Sequence, residues 1–248
     1  MSLFLWLVPL ILATSFLSGI FGMAGGMILM GVLVATMSVP TAMVLHAITQ
    51  ISANGWRALL LYRHIRWRIC LRYIAGLLVA ALVFGFIRFI PSRPVVLIVL
   101  GLLPFASLAL PAKIAPQADK RFGAELCGLL NGSVQFVAGV SGPLLDLFFV
   151  RSMMDRREVV ATKAICQSLA HSAKLLYFGT LAGMGTLDLD TTILVVAIVS
   201  ATAGTTLSRF VLERMSDTQF RRWTRLLIMA IGAVFLVQGI FTLMRDGF

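Results

Sequence analysis

Two polar stripes carry the residues of this sequence that could do chemistry. His46, Gln50, Asn54 and Arg57 are spaced four, four and three apart in an apolar stretch, and Lys163, Gln167, His171 and Lys174 repeat that spacing. On a helix turning about 100° per residue, each set falls within ~80° and forms one face. Polar and charged side chains in apolar helices face a bundle interior or a wet path, because lipid cannot solvate them. Interhelical hydrogen bonding, with Arg57 and Lys174 snorkelling to opposite interfaces, is the simpler alternative. The central residue pair, Gln50 and Gln167, is best placed to touch a solute.

A glycine cluster precedes each stripe. Gly22-Met23-Ala24-Gly25-Gly26 and Gly139-Val140-Ser141-Gly142-Pro143 lie 117 positions apart, and the same offset aligns the stripes without a gap. Gly22/Gly139, Gly25/Gly142, Ala47/Ala164, Ile48/Ile165 and Gln50/Gln167 are identical at that offset. An ungapped match over about 40 residues reads as duplication of one structural unit. Each cluster breaks an apolar run and precedes a short half-helix, and Pro143 suits a first helical position. Helix N-termini expose N–H donors and the positive end of a dipole, which favour anions. The candidate substrate contacts are therefore Gly22, Ala24, Gly25 and Gly26 with Gln50, Asn54 and Arg57. Their counterparts are Gly139, Ser141 and Gly142 with Gln167, His171 and Lys174. Asp146, about a turn into the second half-helix where the first unit has Leu29, is a candidate coupling carboxylate. The alternative for Asp146 is an interfacial charge partnered by Arg151 or another loop arginine.

Elements of a particular kind must position these residues. Of the 248 residues, 59% are hydrophobic and 12% charged, and the mean hydropathy is +0.97. A soluble domain carries about twice that charged fraction. Apolar runs near the ~20 residues needed to cross a bilayer fill the chain, which implies an all-α polytopic membrane protein. The net charge of +11 resides in short loops, as for cytoplasmic loops, and not in a nucleic-acid surface. Cys70, Cys127 and Cys166 form no disulfide framework or metal-ligand spacing, and no cofactor is implied. The apolar N-terminal stretch reads as part of the fold and not as a signal peptide.

Loop charges order the spans. If every apolar run crossed once, basic residues would divide seven to ten between the two sides. If each glycine-broken run folds back instead, loops 63–72, 112–121, 151–157 and 209–225 share one side with fifteen. Only two then remain opposite, in 88–93, with none in 181–190. The positive-inside rule favours the second layout. Repeat 1 (1–111) then comprises a hairpin at 3–36 and spans 41–62, 69–88 and 94–111. Repeat 2 (122–248) comprises a hairpin at 122–150 and spans 158–180, 190–209 and 222–244. Three crossings per repeat insert the two with opposite orientation, the architecture of secondary transporters. Whether each hairpin is re-entrant or crosses twice leaves that parity unchanged.

Phe21-Gly22-Met23-Ala24-Gly25-Gly26 and Gly139-Val140-Ser141-Gly142-Pro143, each followed by a polar-striped helix, resemble the sulfite exporter TauE/SafE family. The resemblance covers almost the whole chain in length, duplication and layout. Ala24 and Ser141 stand where the family tends to have the middle glycine of Gly-x-Gly-Gly-Gly, and Pro143 replaces the last glycine of the second cluster. The resemblance implies a multi-pass permease of the inner membrane that moves sulfite, sulfoacetate or a related sulfonate, with the lipid bilayer as its surroundings. No Walker-type nucleotide motif occurs, so alternating access driven by a gradient is expected. A passive anion channel is the alternative. An intramembrane enzyme would need a nucleophile–base pair or metal ligands, which His46 and His171 do not supply.

Overall fold

The computed structural model describes residues 2–109, 116–149, 152–181, 190–212 and 214–246, and the described segments contain helices and no strand. Residues 110–115, which include the start of the expected connection at 112–121, Arg151, and residues 182–189 of the charge-poor loop lie outside them.

Helix α1 (Ser2–Phe21) ends where Gly22 turns left-handed at φ +73°, with its N–H bonded to the Ser18 carbonyl. Gly139 ends α6 (Gly123–Ala138) at the same φ, with its N–H bonded to the Gln135 carbonyl. Only glycine adopts that backbone cheaply, which is why the chain reverses there. The half-helices that follow are α2 (Ala24–Thr36) and α7 (Gly142–Phe149). At about 1.5 Å rise per residue they extend only ~20 and ~12 Å, too short to cross a bilayer.

The striped helices come next. Ser38 accepts a hydrogen bond from the Thr41 N–H and, with Pro40 in the first turn, starts α3 (Val39–Leu60). Asp155 and Glu158 form a capping box at the start of α8 (Arg156–Leu176), which runs on into a π-helical turn at Tyr177–Leu181. The remaining helices are α4 (Trp67–Ile87), α5 (Arg93–Ala109), α9 (Thr191–Leu212) and α10 (Asp217–Asp246). Among the described residues, α4, α9 and α10 are long and apolar enough to cross a membrane, and 22–39% of each span is buried. Their outer faces expose Leu82 and Phe86 on α4, Val199 and Phe210 on α9, and Val237 and Phe241 on α10. A belt of this kind suits lipid.

Packing crosses the sequence midpoint. The most extensive helix pairs are α1 with α9, α4 with α6, α5 with α10, and α3 with α8. Each joins a helix before residue 110 to one after residue 122. Exchanging α1–α5 for α6–α10 in order carries this set of pairs onto itself, with α3–α8 and α5–α10 each mapping to themselves. Small residues bring the backbones close. A Cβ on Gly76 of α4 would sit 1.8 Å from the Glu125 carbonyl oxygen of α6, and one on Gly204 of α9 2.5 Å from that of Leu12 in α1. Close backbone approach is how helices associate where no hydrophobic effect drives them. The core on one side of the striped pair is rich in methionine, with Met27, Met30 and Met43 against Phe136 and Phe178. On the other side Tyr73, Phe148 and the free thiols of Cys70, Cys127 and Cys166 are buried.

Candidate functional site

Helices α3 and α8 lie side by side at the centre and run antiparallel, because the early residue His46 meets the late residue Lys174. The Lys174 ammonium donates to His46 Nδ1 at 2.9 Å and to the Gly139 carbonyl at 2.8 Å. The Gly26 carbonyl can only accept, so His46 Nε2–H donates to it at 3.0 Å and His46 Nδ1 is left as the acceptor. One contact set therefore ties both glycine-broken runs to both stripes.

Gln135 closes the same cluster. Its Nε2 donates to the Gly139 carbonyl at 3.0 Å and to His171 Nδ1 at 2.7 Å, and its Oε1 accepts from Ser141 Oγ at 2.6 Å. Both amide groups are thereby committed, and His171 is another Nδ1 acceptor with its proton on Nε2. The His46 and His171 rings stand 5.3 Å apart, tilted by 49°. This end of the striped pair is shut: His46 and Lys174 are wholly buried, and His171 is nearly so.

The other end is open. A cavity of about 460 Å³ lies between the Gly22 break, the start of α7 and the facing ends of α3 and α8. Gly22, Arg57, Gly142, Gln167 and Asp146 line it, with Lys163 beside them. Arg57 also donates to the Ser18 carbonyl of α1 at 3.1 Å, which holds the guanidinium at the wall. Lys163 forms an ion pair with Asp146. Arg156 and Arg209 also line the cavity. Four cations against one carboxylate make this space electropositive, and fields focus in such clefts.

The predicted residues thus divide. Gly22, Arg57, Gly142, Gln167 and Asp146 meet at the cavity, whereas Gly139, Ser141, His171 and Lys174 meet in the closed cluster. Gln50 and Asn54 lie buried between, and the Asn54 Nδ2 donates to the Gln50 backbone carbonyl at 3.0 Å and to its Oε1 at 3.3 Å. The Gln50 Nε2 has no hydrogen-bond partner among the described residues. Gly26 faces this amide, and a Cβ there would lie 3.4 Å from Gln50 Oε1. Gly25 instead packs on α1, where a Cβ would be 1.8 Å from the Thr14 carbonyl oxygen, and Ala24 packs with Met23 and Ile228. These two positions serve helix contact.

Three features differ from the sequence-based picture. Lys174 does not snorkel to an interface but is 0% exposed among neutral acceptors. Asp146 takes Lys163 of the next helix as its partner and not a loop arginine. Arg156 and Arg209, counted above as loop charges, belong to the cavity wall. No signal in the sequence separates them from the other loop arginines, because that depends on how the start of α8 and the end of α9 pack around the cavity.

No curated protein and no solved structure matches the chain. The profile of the sulfite exporter TauE/SafE family matches residues 7–235, nearly the whole length, and takes in both glycine breaks, both striped helices and the cavity between them. An electropositive cavity between two antiparallel striped helices and a family match of that extent agree: the chain belongs to the sulfite exporter TauE/SafE family of membrane transporters for sulfur compounds.

Proposed function

We propose that the protein moves a small sulfur oxyanion or organosulfonate, such as sulfite or sulfoacetate, across the inner membrane by alternating access between two inverted repeats. One observation carries the reading. Under the 117-residue offset, Arg57 corresponds to Lys174 and Lys163 to His46. The open pair Arg57 and Lys163 is therefore the repeat-related counterpart of the closed pair Lys174 and His46. Two equivalent half-sites, one open and one shut, are what a two-fold-related carrier presents in one of its end states. The exchange-symmetric helix pairing supports the inverted repeats, since each unit meets the other through the same surfaces.

The loops that flank the open end carry the basic residues of 151–157 and 209–225, so the cavity faces the cytoplasm. In the cavity, Arg57 and Lys163 neutralise the anion, Gln167 and the first N–H groups of α7 orient its oxygens, and Asp146 holds Lys163 when the site is empty. Asp146 is also the carboxylate through which a proton would couple to the cycle. The closed cluster argues against a passive channel, because a pore would need a continuous wet path past His46 and Lys174.

The purified full-length chain should be stabilised thermally by sulfite or a short organosulfonate and much less by monocarboxylates of equal size. In proteoliposomes it should exchange the stabilising anion. Lys163→Gln and Gln167→Ala should weaken both effects. A chain whose melting temperature and flux ignore every sulfur oxyanion and sulfonate tried would sink the proposal.

A further inference from the structure

We propose that Lys174 is the cation of a second anion station on the transport path, closed in this structure and distinct from the Arg57–Lys163 station that lines the cavity. This rests on the transport reading and adds a position for the substrate that the open cavity does not contain.

The Lys174 amine lacks a counter-ion among the described residues. Burying an ammonium is costly unless an anion or a full set of acceptors replaces water. Lys163 has Asp146. Lys174 is fully buried, and its partners are a neutral imidazole nitrogen and one peptide carbonyl, with no carboxylate among its partners in the described residues. The position equivalent to Asp146 in the first repeat is Leu29, itself wholly buried, so the symmetry that supplies a carboxylate to one half withholds it from the other. Two of the three Lys174 N–H donors are in use, and one is spare among the described residues.

Further unspent donors lie along the same stripes. His171 must carry its proton on Nε2, which has no partner among the described residues, and Gln50 Nε2 is buried without one. An excess of donors around one lysine without a counter-ion fits an oxyanion, which only accepts. The present contacts are also easily exchanged. An anion that reaches Lys174 replaces two neutral acceptors with a charged one, which frees the Gly139 carbonyl and His46 from the ammonium. Because those two contacts join α8 to the second break and to α3, their release loosens the elements that shut this end.

Sulfite is the probe, applied to the full chain. Lys174→Gln should bind sulfite in detergent within about threefold of wild type, because the cavity station is untouched, while sulfite exchange in proteoliposomes falls by at least ~10-fold. Lys163→Gln should lose binding and exchange together, and Lys174→Arg should recover part of the exchange. Lys174→Met, which keeps the length of the stem, gives the same readout if the Gln variant does not fold. Exchange at the wild-type rate in the Gln or Met variant overturns the station. So does a parallel loss of binding and exchange equal to that of Lys163→Gln, which would mean one site. A wild-type protein that neither binds nor exchanges any sulfur oxyanion overturns the transport reading itself, and the station with it.

Discussion

Gly76→Ala should destabilise the α4–α6 seam, whereas Gly85→Ala on the same helix should not. The added Cβ at position 76 meets the Glu125 carbonyl oxygen at 1.8 Å and the Leu129 nitrogen at 2.7 Å. Both are backbone atoms, so no rotamer can relieve the clash, and α4 must retreat by roughly 1.5 Å to restore ordinary contact. Overpacking of this kind costs about 1–3 kcal/mol, and the rigid partner places this case at the upper end. The better helix propensity of alanine returns up to ~1 kcal/mol, leaving a net loss near 2 kcal/mol. A Cβ at Gly85 meets nothing within 4 Å, so only the propensity gain remains there. Unfolding of the purified protein in mixed micelles by SDS should therefore place the two variants on opposite sides of wild type. Gly128→Ala, whose Cβ would lie 2.0 Å from the Tyr73 carbonyl oxygen, probes the same seam from α6. One separation of the helices relieves both clashes, so the double variant should lose less than the two singles together. Equal stability of Gly76→Ala and Gly85→Ala would refute the seam geometry.

At the two breaks, Gly22→Ala has only backbone strain to bear, about 1–2 kcal/mol, because a Cβ there meets nothing within 4 Å. Gly139→Ala adds contacts at 2.7 Å to Met43 Sδ and 2.9 Å to Met30, so it should melt lower than Gly22→Ala in a thermal scan. The Glu158 and Arg157 N–H groups hold the Asp155 carboxyl below the usual carboxylate range, so its cap stabilises α8 above about pH 4 and is lost as pH falls through the lowered value. The melting gap between wild type and Asp155→Ala should accordingly close in acid, and a gap independent of pH would discard the cap. For sidedness, cysteines at Met153 and Ile90, both exposed, should label oppositely with an impermeant reagent in intact cells. Reaction at 90 with protection at 153 is expected, and the reverse removes the proposed orientation.

Much of the frame is legible in the sequence itself. Gly22 and Gly139 break their helices because a left-handed backbone there needs glycine, and the sequence shows both at one offset. The stripes were readable because four polar side chains on one helical face in apolar sequence must turn inward. What could not be read is how the stripes meet. Antiparallel contact of α3 with α8 sets Lys174 against His46 and leaves Arg57 and Lys163 to the cavity, and nothing local to either helix encodes that pairing. The burial of Lys174 was hidden for the same reason, since a lysine near a helix end ordinarily reaches water. The partnership of Asp146 with Lys163 depends on α7 being only eight residues long and folding back onto α8.

The crossed pairing of helices has a consequence for how the chain is made. The main partner of α1 is α9, whose first residue is numbered 191, and that of α4 is α6. A nascent chain that has inserted only α1–α5 therefore holds several small-residue faces against lipid, with their proper neighbours still unsynthesised. Such segments must wait in the bilayer as loosely associated helices until α9 and α10 emerge. Truncation after residue 111 should accordingly yield a product cleared by membrane proteases and not a stable half-transporter. Supplying residues 116–248 as a second polypeptide in the same cell should rescue it, since the surfaces that hold the halves together are the ones each half lacks.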